Sequence, residues 1–77
     1  MTMLGQIKIR KQIAARLKQS RESVGYKTAQ DFCEAFCIDQ KLYVRHEDGK
    51  SSLKASHAIL YSRRLRISLF WLMLGEE

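Results

Sequence analysis

A chain of 77 residues is large enough for one domain around a single core, and it leaves no room for a separate ligand-sensing domain. It contains no proline, four glycines and few runs of β-branched residues, so its composition predicts an all-α domain. Fourteen Lys and Arg against eight Asp and Glu give a net charge of +6, which favours a polyanionic partner.

The first predicted helix begins near Gln6 or Ile9 and ends at Val24, with Gly25 as its C-terminal cap. Residues 1–25 hold six cations and one anion, so this helix is basic, whereas the middle of the chain is mixed. Its first cations either form an arm that touches phosphates or belong to the solvated face; they are Lys8, Arg10 and Lys11. Its apolar stripe consists of Ile9, Ile13, Leu17 and Val24, with Ala14 and Arg21 beside them.

Two short helices joined by a very short turn are predicted next. Thr28 is the expected N-cap of the second helix, whose apolar face includes Phe32 and Phe36. Asp39 is the expected N-cap of the third helix, which covers roughly Gln40 to Glu47 and stops at Asp48-Gly49. A turn this short forces the two helices to cross steeply.

The C-terminal third of the chain predicts two more helices. Ser51 or Ser52 is expected to cap the fourth, and Ser68 to cap the last, which runs through Leu74 and ends at Gly75. Five short helices without a linker or a repeat therefore form a single domain over residues 1–77. The stripe of the fourth helix is Leu53, Ala58 or His57, Leu60 or Tyr61, and Leu65.

The third predicted helix divides into a polar and an apolar face. Its polar face has the chemistry that base edges in the major groove require, because Gln can bond adenine, Lys or Arg can bond guanine, and a Val methyl can pack on the thymine methyl. The same spacing also suits the solvated side of any surface helix. The polar face holds Gln40, Lys41, Val44 and Arg45, and the other side holds Leu42, Tyr43 and His46.

Four stretches in order resemble the Cro/cI-type helix-turn-helix family, also called the XRE family, which is typified by lambdoid phage repressors and Cro. The resemblance covers residues 15–76, about four fifths of the chain. The stretches are Arg16-Leu17-Lys18-x-x-Arg21, Gly25-Tyr26-Lys27-Thr28-Ala29-Gln30-Asp31-Phe32, Tyr43-x-x-His46-Glu47-Asp48-Gly49-Lys50, and Ile67-Ser68-Leu69-Phe70-Trp71-Leu72-Met73-Leu74-Gly75.

The resemblance implies a lambda-repressor-like bundle with the helix-turn-helix at about residues 28–47. It implies that Arg21 and Glu47 form a structural ion pair. It also implies that the start of the third helix enters the major groove, so that the base readers are Gln40, Lys41, Val44 and Arg45. The expected phosphate-binding residues are Lys27, Thr28, Gln30, Lys50, Ser51 and Ser52.

The chain departs from the family pattern at three positions. Cys37 stands where the family has a small turn glycine, and Arg66 stands where a glycine commonly ends the fourth helix. Ala29 stands where relatives often have a DNA-contacting Gln, and Gln30 is its expected substitute. The fold is expected to survive these changes, whereas the family's base-by-base code is not expected to transfer.

The last helix is apolar on nearly every side. One side must close the core, and the other is either buried in the same domain or exposed as the seam of a homodimer, the assembly that the family uses on palindromic operators. The possible seam residues are Leu69, Phe70 and Met73.

Cys33 and Cys37 lie four residues apart and are expected on one helix face, where a mutual disulfide would be strained, so free thiols in a reducing compartment are expected. Together with His46 and His57 they could be considered metal ligands, but their order matches no zinc pattern and no metal is expected. The absence of a signal peptide pattern and of a long apolar run predicts a cytoplasmic protein without a membrane segment.

The expected function is that of a sequence-specific transcriptional regulator, most simply a repressor that binds double-stranded DNA as a homodimer. No arrangement of nucleophile, base and acid is discernible, so neither an enzyme nor a cofactor is expected. The alternative is an interaction module, such as an antitoxin or adaptor, whose apolar C-terminal helix docks on another protein.

Overall fold

The computed structural model describes residues 3–76, and within this range it contains five α-helices and no β-strand. The prediction of an all-α domain with five helices is therefore confirmed for the described residues. The helices are α1 (Met3–Ser23), α2 (Ala29–Phe36), α3 (Gln40–Glu47), α4 (Ala55–Leu65) and α5 (Leu69–Leu74).

The first helix, α1, is longer than predicted, with 21 residues, because it already begins at Met3. It ends one residue before the predicted Val24, and Gly25 beyond it adopts a left-handed φ of 100°. The two ends of the predicted stripe lie outside the core, since Ile9 is 39% and Val24 is 41% exposed. The buried face of α1 instead consists of Ile13, Ala14, Leu17, Ser20 and Arg21.

The predicted caps of α2 and α3 are both present. The Thr28 hydroxyl accepts a hydrogen bond from the Asp31 amide at 3.1 Å, and the Asp39 carboxylate accepts one from the Lys41 amide at 3.1 Å. Each bond satisfies a backbone donor that the first turn of a helix leaves free. The intervening turn begins at Cys37, which adopts the left-handed conformation with φ 56° and ψ 46°.

Replacing Cys37 by glycine should stabilise the protein, because its left-handed backbone disfavours any residue with a Cβ. Cys37 is exposed, so the change removes little packing. The left-handed conformation costs about 1–2 kcal/mol, and the extra freedom of glycine in the unfolded chain offsets about 0.5–1 kcal/mol of the gain. We expect the free energy of unfolding to rise by roughly 0.5–1 kcal/mol in a urea titration. Cys37→Val should lower the free energy of unfolding. Equal stability of Cys37→Gly and Cys37→Val would show that the left-handed backbone at this position is not strained.

The predicted cap of α4 was wrong. Neither Ser51 nor Ser52 caps this helix, which begins only at Ala55 and has Lys54 as an N-cap without a side-chain hydrogen bond. Leu53 therefore precedes the helix, although it still packs half-buried against the core. Arg66 ends α4 in a left-handed conformation with φ 58°, so the chain reverses there without the glycine that the family pattern has.

The last helix, α5, has its predicted bounds and caps. The Ser68 hydroxyl accepts a hydrogen bond from the Trp71 amide at 3.2 Å, and Gly75 ends the helix with φ 75°. The Arg16 side chain of α1 donates from Nε to the Leu72 carbonyl at 2.9 Å. This bond joins α1 to the carbonyl end of α5, where a cation is favoured.

Aromatic rings form the centre of the core. Tyr43 of α3 contacts Phe32 of α2 and Tyr61 of α4, with ring centroids 5.1 Å apart in both pairs. All three side chains are fully buried, so their rings hold the inner side of α3 against its neighbours. The outer side of α3 is left at the surface.

Candidate nucleic-acid interface

The outer side of α3 presents the four residues that the sequence singled out. Gln40, Lys41 and Arg45 are exposed, Val44 is half-buried, and together they line one shallow concavity on the surface. On the inner side of the same helix, Tyr43 and His46 are almost fully buried. The structure thus brings the four predicted base readers onto one contiguous surface. The side chains that line the concavity are one aliphatic group, two cations and one amide.

The C-terminal end of α3 is held by the ion pair that was expected from the resemblance. Arg21 Nη2 lies 2.7 Å from Glu47 Oε1, and Arg21 Nε lies 3.2 Å from the same oxygen. Arg21 Nη1 also donates to the Tyr26 carbonyl at 2.7 Å, so one guanidinium links α1, the loop before α2, and α3. The hydrogen bond to Glu47 raises the pKa of Arg21 above its ordinary value. The ion pair is almost inaccessible to solvent, because the two side chains are only 5% and 8% exposed.

A second contact holds α3 against α4 through the buried His46. His46 Nδ1 is 2.8 Å from the Tyr61 hydroxyl, and the His46 ring lies 5.2 Å from the His57 ring. Burial lowers the pKa of His46, and the nearby His57 and Arg45 lower it further. Burial of Tyr61 raises the pKa of its phenol, so this phenol stays protonated.

Stability should fall as the pH drops below about 6.5, the ordinary pKa of histidine. Because the folded-state pKa of His46 lies below this value, the unfolded chain binds more protons in the interval between the two pKa values. The stabilising contribution is complete above pH 6.5 and is lost as the pH falls toward the folded-state pKa. Urea unfolding at pH 8, 7, 6 and 5 measures this loss.

In the same titration, His46→Gln should flatten the dependence of stability on pH between pH 6.5 and 5, whereas Ser56→Gln, at an exposed position, should leave it unchanged. An equally steep loss of stability in His46→Gln would show that other groups cause it.

The turn after α3 holds Arg45 and Lys50 close together. Arg45 Nε donates to Ser51 Oγ at 3.0 Å, and the Lys50 amide donates to the Arg45 carbonyl at 2.9 Å. Lys50 and Ser52 are exposed and Ser51 is half-buried. Ser51 was expected to bind a phosphate. In the structure its hydroxyl already accepts a hydrogen bond from Arg45, a predicted base reader.

The start of α2 is less positive than the sequence interpretation assumed. Lys27, Thr28 and Gln30 are exposed, but Gln30 Nε2 donates to Glu34 Oε1 at 3.0 Å, and the exposed Asp31 lies in the first turn. Two carboxylates thus accompany the one cation at this end. A phosphate there would rely on backbone amides and on Lys27.

The cations at the start of α1 belong to a continuous helix that extends beside the turn after α3. A Cβ on Gly49 would lie 3.3 Å from the Lys11 Cα and 3.2 Å from its Cγ, and Gly49 has a left-handed φ of 72°. Only glycine lets the turn approach α1 so closely. Lys11, which is exposed, therefore lies beside the turn that carries Lys50. Gly49, the glycine after α3, is the feature of the sequence that could have indicated this proximity.

An apolar groove lies between α4 and α5, separate from the α3 surface. The predicted seam residues Leu69 and Met73 are half-buried and Phe70 is 65% exposed. The groove also includes residues that the sequence interpretation did not single out, among them Leu74, which is 65% exposed, and Ile59, which is 40% exposed.

The two cysteines are free and occupy different environments. Cys33 is buried in the core, and burial raises the pKa of its thiol to about 11, whereas Cys37 is exposed. In residues 3–76 no group of three or more potential metal-ligating side chains lies close together.

The chain matches no protein-family model, no curated protein and no solved structure. Among the helices of residues 3–76, none combines the length and the apolar character required to cross a membrane.

Proposed function

We propose that the chain is a sequence-specific transcriptional regulator that binds double-stranded DNA, and that α2 and α3 are its helix-turn-helix within a lambda-repressor-like fold. One observation carries the proposal: Gln40, Lys41, Val44 and Arg45 of α3 line one surface, while the inner side of the helix is fixed by buried rings and an ion pair. A helix held in this way can enter the major groove as a rigid body.

The side chains on this surface suit the edges of base pairs. Gln40 can bond adenine N6 and N7, Lys41 and Arg45 can bond guanine O6 and N7, and the methyl groups of Val44 can contact thymine. Phosphates would bind to Lys27 and the first backbone amides of α2 on one side and to Lys50 and Ser52 on the other. The net charge of +6 favours this partner at long range. The proposal involves neither an enzymatic activity nor a cofactor.

The proposed form is a homodimer that represses transcription by occupying a palindromic operator in the cytoplasm. Its support is the apolar groove between α4 and α5, where Phe70 and Leu74 expose about two thirds of their surface. A two-fold axis through this groove would pair two copies of the chain, and a symmetric pair is what a palindromic operator requires.

Selection of bound sequences from random duplex DNA tests the function directly. We expect an enriched site, palindromic if the dimer forms, whose affinity falls by tenfold or more between low and physiological salt. Absence of duplex binding even at low salt would reject the proposal.

The dimer can be tested with Phe70→Glu, which places a charge in the groove. The dissociation constant of the dimer should rise by about 30-fold or more, the effect of losing a contact of 2 kcal/mol at an interface. Sedimentation equilibrium measures this constant, and Ala15→Glu, at an exposed position of α1, is the matched charge control. Equal constants for the two variants would show that Phe70 does not lie in a dimer interface.

The exposed groove also favours a second candidate, a helix-turn-helix interaction module such as an antitoxin or adaptor. In that case Phe70 and Leu74 would contact another protein, and the polar face of α3 would be a solvated surface.

A further inference from the structure

We infer that Ser51 is a positioning residue, which aims Arg45 at a base and thereby helps to set sequence specificity, rather than a ligand of a backbone phosphate. The inference rests on the proposed DNA-binding function. It concerns how one base reader is held. It is carried by the Arg45 Nε to Ser51 Oγ hydrogen bond and by the rigid turn that brings the two residues together.

The turn between α3 and Ser51 has little freedom. The Gly49 amide donates to the His46 carbonyl at 3.2 Å, and the Lys50 amide donates to the Arg45 carbonyl at 2.9 Å. Gly49 itself is buried and lies against the backbone of Lys11. The position of Ser51 relative to α3 is therefore fixed by the backbone, independently of the Arg45 side chain.

The Ser51 hydroxyl has no role in starting α4. That helix begins three residues after Ser52 and has no side-chain cap, so the Ser51 oxygen is available to accept from Arg45 Nε at 3.0 Å. This hydrogen bond restrains the Arg45 side chain before DNA binds. The side chain therefore loses less conformational entropy on binding than a freely rotating arginine would. The bond should strengthen where the DNA excludes water.

This contact leaves the terminal part of the guanidinium for recognition. With Nε engaged, Nη1 and Nη2 still form the planar pair of donors that matches guanine O6 and N7. Lys50, on the same turn, is a cation suited to the adjacent phosphate. Lys50 and Ser51 belong to the same turn. A contact of Lys50 with a DNA phosphate would therefore fix the position of Ser51, and through the hydrogen bond to Ser51 it would fix the direction in which the Arg45 side chain points.

The test compares wild type, Ser51→Ala, Ser51→Thr and Arg45→Ala on the selected site and on sites changed at each base pair. We define discrimination as the ratio of the dissociation constants for a changed site and the selected site. Ser51→Ala should lower discrimination at the base pair read by Arg45 by about three- to tenfold, the factor that corresponds to one hydrogen bond. Ser51→Thr should retain it, and in the Arg45→Ala background Ser51→Ala should have no further effect. Ser56→Ala, at an exposed position of α4, is the control.

Two results would overturn the inference while leaving the proposed function intact. If Ser51→Ala weakens binding to every sequence equally and reduces the slope of log affinity against log salt by about 0.9, Ser51 binds a phosphate. If Ser51→Ala changes nothing, the hydrogen bond has no functional role. Failure of the wild type to bind any duplex would instead reject the function itself.

Side-chain NMR of the free protein tests the geometry without DNA. Exchange of the Arg45 Nε proton with water should be slower than that of Arg63, an exposed arginine of α4, and Ser51→Ala should abolish the difference. Equal exchange for Arg45 and Arg63 in the wild type would overturn the positioning role.

Discussion

Replacing Glu47 by alanine is expected to lower the free energy of unfolding by about 3–5 kcal/mol, the largest effect of any single change at the candidate interface. The carboxylate is nearly buried and accepts three hydrogen bonds from Arg21, the shortest of 2.7 Å, and Arg21 is itself only 4% exposed. Its removal strands a guanidinium that remains bonded to the Tyr26 carbonyl. For a domain of 77 residues this loss is a large part of the total stability.

A double replacement distinguishes the free-energy cost of an unpaired buried charge from the free energy that the ion pair itself contributes. Arg21→Met with Glu47→Leu should recover much of the loss, because an apolar pair of similar volume avoids the unpaired charge. Urea titrations of the single and double variants measure both quantities, and Glu34→Ala on the surface of α2 is the control. If Glu47→Ala costs under about 1 kcal/mol, the pair behaves as an ordinary surface salt bridge and does not fix α3.

The joint replacement of Lys41 and Arg45 by alanine should abolish specific DNA binding while leaving the fold intact. Each bidentate contact to a base contributes about 1–3 kcal/mol of discrimination, so losing both should reduce it by about 30-fold or more. Both side chains are exposed, and neither belongs to the core. Gel shifts on the selected site and on a scrambled site measure the ratio.

Lys18→Ala with Arg63→Ala removes the same charge from exposed positions of α1 and α4. This control should weaken binding to both DNA sites modestly and keep their ratio. If the Lys41 and Arg45 variant keeps the ratio as well, α3 does not read bases. A protein adaptor, by contrast, would retain its complex after the Lys41 and Arg45 change and lose it after Phe70→Glu.

The local chemistry of the chain predicted most of the helix boundaries. Thr28, Asp39 and Ser68 cap helices as expected, because a side-chain oxygen at these positions satisfies a free amide of the first turn. Gly25 and Gly75 end or follow helices because only glycine adopts a left-handed backbone without strain. The bounds of α3 and the division of its faces followed from the same signals and from helical periodicity.

What the sequence pattern missed depends on contacts between distant segments. Ser51 resembles a helix cap, but the turn directs its hydroxyl to Arg45, and α4 begins later. Ser20 is buried, although a hydroxyl does not belong to an apolar stripe, because α1 packs its side chain inward. The approach of Lys11 to Gly49 joins segments almost forty residues apart, which periodicity within one helix cannot show.

The different environments of the two thiols make the chain suitable for site-specific labelling without mutagenesis. At neutral pH a maleimide should react with Cys37 and spare Cys33, whose pKa of about 11 and burial keep it protonated and inaccessible. Cys37 begins the turn that leads into α3. A fluorophore attached there would sit three residues before the first proposed base reader, and its emission would report the approach of DNA in solution.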